Sequence, residues 1–319
     1  REAVGRCPRC DGRVHSVTST SPVSELFSHS PSLEQQIRGA ERAARTDVPV
    51  LILGEPGTGL SAVARAILAT SLRSAGPLVE VDISAIPSSL FESELFGYRP
   101  GAFTGAESSL AGRVATAEGG TLLLDHVEDI PVAAQPKLLR LLAESAYAPL
   151  GGAELSANVR FLGIGSEDLP SRVSSGAFRS DLFYRMEVVT LRLLPLRERR
   201  EDFATLIDFF LRDLGERFGI THLELAASAR EWMEEYAFPG NLRELRNVLE
   251  RALILQGGGP LDPPCPDRRS GPPESLEAVE RRQILRALAY TRGHQGRAAE
   301  LLGISRKTLW EKRRRYGIP

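Results

Sequence analysis

Residues 48–61 read VPVLILGEPGTGLS: a short apolar run, a loop that contains three glycines, and the start of a helical pattern. The run from Val48 to Leu53 is apolar and rich in β-branched residues, which suits a strand buried in a parallel sheet. The loop has the spacing G-x-x-x-x-G of a phosphate-binding loop, in which backbone N–H groups and a helix N-terminus surround phosphate oxygens. This order of strand, loop and helix predicts an α/β nucleotide-binding domain.

One position departs from the phosphate-binding pattern G-x-x-x-x-G-K-[ST], because Leu60 stands where the lysine is expected. That lysine reaches the β- and γ-phosphates, and no backbone group takes its place. Arg65 lies too far along the helix to substitute, whereas Ser61 still offers a hydroxyl to Mg²⁺. Whether the loop still holds ATP is open at this point. The candidate nucleotide-binding residues of the loop are Gly54, Glu55, Pro56, Gly57, Thr58, Gly59, Leu60 and Ser61.

Three later apolar runs predict further strands of the same sheet, at residues 78–83, 119–126 and 158–166. The second of these runs has three leucines followed by Asp125 and His126. A carboxylate at the C-terminal end of a buried parallel strand stands where a nucleotide-bound Mg²⁺ is held. Asp125 and His126 are therefore candidate catalytic residues.

Residues 94–106 read ELFGYRPGAFTGA, and the glycines at 101 and 105 allow a tight turn. We expect Phe103 and Thr104 at a tip with little around them to pack against. An isolated glycine turn is also compatible with a Phe that folds back into the core. The full string resembles the signature of the sigma-54-dependent activators, the bacterial enhancer-binding proteins of the AAA+ ATPase class. The resemblance implies contact with sigma-54 RNA polymerase through Gly101, Ala102, Phe103, Thr104, Gly105 and Ala106.

The resemblance extends over residues 23–319 and implies the fold. That fold is an α/β AAA+ P-loop core with a parallel sheet, a helical lid subdomain, and a small all-α C-terminal helix-turn-helix domain. It also implies ATP and Mg²⁺ as ligands, and a homo-oligomer between a dimer and a hexamer. The five expected segments are an N-terminal stub and linker at 1–22, the AAA+ α/β subdomain at 23–190, the lid at 191–256, a linker at 257–274, and the DNA-binding domain at 275–319.

The catalytic positions differ from the family pattern. Members carry a glutamate after Asp125, which positions and deprotonates the attacking water, and this chain has His126 there. We do not expect His126 to replace it, because its ring and reach differ. Members also carry Asn at the position of Asp82, and a Thr-Asn pair that reads the γ-phosphate at the position of Gly165-Ser166. The changes at positions 60, 126 and 165 together predict an ATPase that hydrolyses poorly or not at all.

Two later motifs match the family more closely. Residues 178–185 read FRSDLFYR, and the resemblance implies that Arg179 and Arg185 act as arginine fingers on a neighbouring subunit's ATP. Residues 238–245 read FPGNLREL, where we expect a helix to start with Asn241 as N-cap. The resemblance implies that Arg243 contacts the nucleotide from the lid. For these arginines, a solvated basic helix face is the alternative. The lid residues expected in the core repeat at helical spacing: Phe203, Leu206, Ile207, Phe210, Leu211 and Leu214.

The formal net charge of −1 conceals a basic C-terminal end, since residues 278–319 hold eleven Lys or Arg and three Glu. That balance favours nucleic-acid binding. Residues 298–309 read AAELLGISRKTL, with Gly303 at a turn and Ser305 as cap of the next helix. The string resembles the Fis-type helix-turn-helix and implies double-stranded DNA as partner. The candidate DNA-binding residues are Arg297, Ser305, Arg306, Lys307, Thr308, Lys312 and Arg313, with Arg314 and Arg315 as further phosphate contacts.

The first residues give weaker signals. Cys7 and Cys10 form one half of a zinc knuckle, with His15 as an optional third ligand, and a stub with two free thiols is the favoured alternative. Since the first residue is Arg1, we expect further sequence upstream. Three cysteines, no signal segment and no long apolar run favour a soluble protein in a reducing cytoplasm without a membrane partner.

Three functional hypotheses follow. The favoured one is a DNA-binding regulator that contacts sigma-54 while its ATP hydrolysis is weak or lost. The alternatives are a fully active ATP-hydrolysing activator and a passive or repressive scaffold subunit. Because the residues that act on a neighbour are kept, a further hypothesis is that the chain works in a mixed ring with an active homologue; the competing account is recent decay, in which the kept residues have not yet changed.

Overall fold

The computed structural model describes residues 34–104, 106–256, 259–265, 280–281, 283–285, 287–288, 291, 294–316 and 318. The chain divides into two compact units between Pro263 and Pro264. Cys7, Cys10 and His15 lie outside the described residues, as does Gly105. Within the described ranges, no helix combines the length and the apolar character needed to cross a membrane.

The first unit is built on strands that match the apolar runs of the sequence. In chain order they are β1 (Val50–Gly54), β2 (Leu78–Asp82), β3 (Gly97–Tyr98), β4 (Leu110–Ala111), β5 (Thr121–Asp125), β6 (Ala146–Tyr147), β7 (Leu155–Ser156), β8 (Arg160–Gly165) and β9 (Val189–Leu193). Five of them form a parallel sheet in the order β2-β5-β8-β1-β9, and β3-β4 and β6-β7 form two antiparallel pairs. The four strands predicted from apolar runs are therefore confirmed, each within a few residues of the predicted ends.

Helices connect and cover these strands. In chain order they are α1 (Glu34–Ala44), α2 (Leu60–Ala69), α3 (Phe91–Phe96), α4 (Arg113–Thr116), α5 (Gln135–Glu144), α6 (Leu169–Ser174), α7 (Ser180–Met186), α8 (Phe203–Phe218), α9 (Ala227–Glu235) and α10 (Asn241–Gln256). Among them, α8, α9 and α10 follow the last strand of the sheet and form the helical lid.

The core lies on both faces of the sheet, because successive strand residues point to opposite faces. From β1, Val50 and Ile52 enter one apolar cluster, which continues through α1 and α2 into the lid helices α8 and α10. Leu51 and Leu53 enter a second cluster with α3, α5 and α7. Every residue of β1 and β8 is buried, as expected for central parallel strands. The lid thus shares a continuous apolar core with one face of the sheet.

The lid residues predicted for the core are all buried, which confirms the helical spacing read from the sequence. Phe203, Ile207 and Leu214 are each 3% exposed or less. The ring centroids of Phe210 and its neighbour Phe209 are 5.5 Å apart. Burial of each such side chain contributes about 1.5–3 kcal/mol to folding. The lid is therefore fixed to the sheet mainly by apolar packing.

The second unit contains two further described helices, α11 (Gln295–Leu301) and α12 (Arg306–Arg315). Gly303, between them, has φ of 65°, a left-handed turn that favours glycine. Ser305 caps α12, since its side chain accepts a hydrogen bond from the backbone N–H of Thr308 at 3.1 Å. Both predictions made for this turn are confirmed. Ala298 and Ala299 are buried, which allows the two helices to approach closely.

Candidate functional site

A cavity of about 530 Å³ lies where β1, β5 and β8 end and the lid begins. Open parallel sheets bind ligands at this edge. The loop after β1, the ends of β5 and β8, and the lid helices α8 and α10 all contribute. The lining residues that carry the argument are Leu60, Ser61, Asp125, Glu128, Gly165 and Arg243.

The loop after β1 has the backbone of a phosphate cradle. Gly57 has φ of 84° and Gly59 has φ of 104°, in the region that favours glycine. Gly59 directly precedes α2, whose first turn carries no acidic residue. The exposed N–H groups of a helix N-terminus and the helix dipole favour phosphate at this place. Of the predicted loop residues, Glu55 and Thr58 do not line the cavity.

Glu55 instead connects the loop to the lid. Its carboxylate accepts two hydrogen bonds from Arg197, at 2.8 and 2.7 Å, and one from Asn241 Nδ2 at 3.2 Å. The hydrogen bonds from Arg197 lower the pKa of Glu55; burial opposes this shift, and the Asn241 amide adds to it. The loop therefore keeps its shape through contacts with the lid.

Backbone contacts strengthen this connection. The N–H of Leu242 donates to the carbonyl of Gly57 at 2.9 Å, and buried Arg199 donates to the carbonyl of Thr58 at 3.0 Å. A Cβ atom on Gly57 would overlap the carbonyl oxygen of Gly240. Glycine is needed at position 57 for its left-handed backbone and for this close approach.

The role predicted for Asn241 requires a correction. The residue does open α10, but its side chain does not act as the helix cap. Its Oδ1 accepts from the N–H of Leu196 at 2.8 Å, and its Nδ2 donates to Glu55 and to the carbonyl of Pro56, both at 3.2 Å. Asn241 is completely buried with φ of 52°. It joins the lid to the phosphate loop, and this tertiary role outweighs the local capping preference.

Leu60 occupies the position of the expected lysine. Its side chain packs beside the first apolar cluster, and its Cδ2 lies 3.0 Å from the place that a Cβ on Gly54 would take. An aliphatic side chain offers no hydrogen bond or charge to a phosphate. Ser61 lines the same cavity and offers its hydroxyl.

Asp82, Asp125 and His126 meet at the ends of two neighbouring strands. Asp82 and Asp125 are register partners of β2 and β5. The ring Nδ1 of His126 lies 3.0 Å from Asp82 Oδ1, and its backbone N–H donates to Asp125 Oδ1 at 3.0 Å. The pKa of Asp82 lies below its ordinary value. Burial raises this pKa, but the hydrogen bonds from Ser84 and the nearby His126 imidazole outweigh that effect and lower it. Burial raises the pKa of Asp125, while His126 opposes that shift.

Sequence reasoning missed Glu128. It lines the cavity, and its Oε2 accepts a hydrogen bond from the backbone N–H of Ser166 at 3.1 Å. A Cβ atom on Gly165 would lie only 3.1 Å from that oxygen and 2.8 Å from Val127 Cγ2. The carboxylate therefore uses space that a side chain at position 165 would take. The signal in the sequence was an acidic residue close behind Asp125, paired with a glycine at the end of the next strand.

Three arginines also line the cavity. Arg243 lies on the first turn of α10, and its Cβ is 3.2 Å from the place that a Cβ on Gly57 would take. Arg65 lies 3.5 Å from Glu80, and Arg246 lies 3.2 Å from Asp213. Arg243 is thus the cation placed beside the phosphate loop.

The two predicted arginine fingers lie outside this cavity and are held within their own chain. Arg179 makes two hydrogen bonds to Asp181, at 3.0 and 2.7 Å. Arg185 donates to the carbonyls of Leu142 and Ala143, near the end of α5, at 3.0 and 3.3 Å. Neither arginine lines the cavity of its own chain.

The loop at residues 101–106 departs from expectation because Phe103, predicted to have little around it, has a packing partner. Gly101 has φ of 81°, and its N–H donates to the carbonyl of Ala106 at 2.8 Å, which closes the turn. Phe103 is 49% exposed, but its ring packs edge-to-face on Tyr98 with centroids 5.0 Å apart. Tyr98 therefore covers part of the Phe103 ring, and about half of the Phe103 side chain remains exposed to solvent.

In the second unit, some of the predicted DNA-binding residues are exposed, and others contact residues of their own unit. Arg306 and Lys307 are exposed on the first turn of α12, although a Cβ on Gly296 would overlap the Arg306 guanidinium. Lys312 pairs with Glu280, so it holds its own unit together. Arg314 lies over the Trp310 ring at 5.6 Å. Arg297 is exposed on α11.

Family comparisons agree with this architecture. The sigma-54 interaction domain matches residues 26–192, the AAA+ ATPase lid domain matches 197–264, and the Fis family of bacterial regulatory proteins matches 275–316. The chain belongs to the sigma-54-dependent activators. This activator is 41% identical to the alginate biosynthesis regulator AlgB of Pseudomonas aeruginosa, over 92% of this chain and 68% of that protein. It is 38% identical to the DNA-binding transcriptional regulator NtrC of Bradyrhizobium, over 98% of this chain and 72% of that one.

Solved structures give the same fold. NtrX from Brucella abortus in complex with ATP is similar with a TM-score of 0.67 and 33% identity, over 89% of this chain and 67% of that one. NtrX in complex with ADP is similar with a TM-score of 0.66 and 32% identity, over 89% and 67%. The fold class predicted from the sequence is confirmed for this sigma-54 activator.

The residues of this activator fit a Mg²⁺-nucleotide only in part. The glycine backbone and the start of α2 suit inner phosphates, and Ser61 with Asp125 supplies oxygen ligands of the kind that Mg²⁺ prefers. Leu60 and the Glu128 carboxylate do not suit a terminal phosphate, because one offers no charge and the other is negative. No group of three or more His, Cys, Asp or Glu capable of holding a metal ion occurs within the described residues.

Proposed function

We propose that this activator is a DNA-binding transcriptional regulator that contacts sigma-54 polymerase through residues 101–106, and that its ATP hydrolysis is weak or lost. The observation that carries the sigma-54 contact is the half-exposed ring of Phe103 on a loop closed by the Gly101–Ala106 hydrogen bond. An apolar ring presented to water on a short loop is stabilised when a partner covers it.

The contact is tested by binding of the full chain to purified sigma-54. Phe103→Ala is expected to weaken binding by about tenfold or more, which equals about 1.4 kcal/mol. Leu72→Ala serves as control, because Leu72 is also an exposed large apolar side chain, at 74%, but lies outside the loop. Equal binding by the Phe103→Ala and Leu72→Ala variants would remove the loop from the proposed interface.

For the nucleotide, NtrX binds both ATP and ADP with 32–33% identity to this chain, which supports adenine nucleotide as the ligand of the cavity. We assign inner-phosphate contacts to the backbone of residues 54–59 and a Mg²⁺ ligand to Asp125. Leu60, His126 and Gly165 support weak hydrolysis, since the lysine, the glutamate and the polar sensor of the family are replaced. A fully active ATPase is the alternative, and a turnover assay on the purified chain distinguishes the two.

For DNA, we propose that Arg306, Lys307 and Thr308 at the start of α12 contact base edges. Arg297 and the basic end of α12 are the proposed phosphate contacts. The exposure of Arg306 and Lys307 supports this assignment. A regulator that reads DNA and sigma-54 polymerase works in the cytoplasm. A passive or repressive scaffold shares this DNA contact, and the sigma-54 binding assay separates it from the favoured function.

A second candidate is participation in a mixed ring with an active homologue. Arg179 and Arg185 lie outside the chain's own cavity, which supports a role on a neighbour's nucleotide. The test titrates this chain into a limiting amount of an active homologue. Turnover per active subunit is expected to rise, and the Arg179→Ala variant should abolish that rise. Identical effects of the two proteins would reject the idea.

A further inference from the structure

Two side chains at one end of the cavity, Leu60 and Glu128, bear on how a terminal phosphate would bind. In P-loop nucleotidases the Mg²⁺ ion that bridges the β- and γ-phosphates is held by the loop Ser or Thr and by an Asp at a strand end. In this chain those residues are Ser61 and Asp125, so the terminal phosphate lies towards the ends of β5 and β8. Gly165 and Ser166 lie at the end of β8.

At this end Leu60 stands in place of the expected cation, and Glu128 carries a negative charge. Leu60 provides no cation for the β- and γ-phosphates. Glu128 Oε2 is held 3.1 Å from the Ser166 N–H, above a Gly165 that leaves room for it. A carboxylate next to a phosphate is a like-charge contact, which raises the free energy of binding.

The other end of the cavity retains its phosphate-binding character. Gly57 and Gly59 keep the left-handed backbone of the cradle, and α2 begins directly behind it. Arg243 lines the cavity, and its Cβ lies beside Gly57, so the side chain starts next to the middle of the loop. Inner phosphates therefore keep both the backbone donors and a cation.

We infer that the cavity is selective for a nucleoside diphosphate over the corresponding triphosphate, with Glu128 as the residue that disfavours the terminal phosphate. The inference rests on the proposed nucleotide site and adds its ligand preference. A site that prefers the diphosphate has no terminal phosphate bond to cleave, which agrees with the replaced lysine and glutamate.

The test measures the dissociation constants of Mg·ADP and Mg·ATP for the full chain by titration calorimetry at one ionic strength. We expect ADP to bind about tenfold more tightly than ATP, a difference of about 1.4 kcal/mol. Glu128→Gln keeps an oxygen for the Ser166 N–H but removes the charge, so ATP affinity should rise severalfold while ADP affinity stays nearly unchanged. Leu60→Lys should reverse the preference.

The matched control is Asp129→Asn, which removes the neighbouring carboxylate, 3.5 Å from Arg172 and not part of the cavity lining. It should leave both dissociation constants unchanged. ATP binding as tight as ADP binding in the unaltered chain, or an unchanged ADP-to-ATP ratio in Glu128→Gln, would overturn the inference, as would failure of both nucleotides to bind. None of these results contradicts weak hydrolysis or sigma-54 contact, so the proposed function is judged separately by the turnover and sigma-54 assays.

Discussion

Removal of the Asn241 side chain is expected to destabilise the connection between the lid and the phosphate loop. In Asn241→Ala, the buried N–H of Leu196 loses its acceptor at 2.8 Å, and Glu55 and the Pro56 carbonyl lose a donor at 3.2 Å. A buried donor left without a partner costs about 1–3 kcal/mol. Alanine at φ of 52° adds backbone strain of about 1–2 kcal/mol. We therefore expect a loss of about 2–5 kcal/mol in the free energy of unfolding.

Asn241→Gly separates the two contributions, because glycine loses the same hydrogen bonds but tolerates the left-handed backbone. It should be more stable than Asn241→Ala by about 1 kcal/mol. Urea unfolding is followed by tryptophan fluorescence, to which Trp232 contributes a signal from the lid, since it lies on α9 and stacks with Phe238 at 6.3 Å. An Asn241→Ala variant within about 1 kcal/mol of the unaltered chain would show that the buried amide does not hold the lid.

Three further outcomes are expected. The double change Leu60→Lys with His126→Glu should raise ATP turnover above a near-background value, measured by phosphate release; vigorous hydrolysis by the unaltered chain would contradict the reasoning. Arg306→Ala should relax base preference by about 1–3 kcal/mol in DNA competition assays, whereas salt-independent DNA binding would argue against the assigned helix. The lowered pKa of Glu55 makes its ion pair with Arg197 stabilising above the ordinary value of 4.5 and progressively lost as pH falls below it, so Glu55→Gln should flatten the acid side of the stability profile.

The strands and the phosphate loop were predictable because their signals are local. A buried parallel strand needs an apolar run, and β1 and β5 have one that ends at a glycine loop or at Asp125. The turn at Gly303 and the Ser305 cap were predictable for the same reason, since each is satisfied by residues within a few positions.

The contacts between distant segments were not predictable in this way. Asn241 carries a sound local capping signal, yet its side chain bonds to Leu196 and to Glu55, 186 residues away. The ring of His126 meets Asp82 only because β2 and β5 are neighbours in the sheet. Glu128 is noticed only when the glycine at 165 is seen to leave space for its carboxylate. Each of these depends on strand order or lid docking, which no short window of sequence contains.

The residues that differ from the family pattern and those that match it lie on different surfaces of the chain. This difference bears on the proposed mixed ring. Leu60, His126 and Gly165 line the chain's own cavity, whereas Arg179 and Phe103 are exposed outside it. Arg179 is paired with Asp181, and both side chains are nearly half exposed, at 47% and 46%. Exposed ion pairs contribute only about 0–1 kcal/mol, so a neighbour's phosphate can replace Asp181 at little cost. Arg179 therefore stays available to an adjoining subunit, as the proposed mixed ring requires, and Leu60, His126 and Gly165 are the residues on which the proposed weak hydrolysis rests.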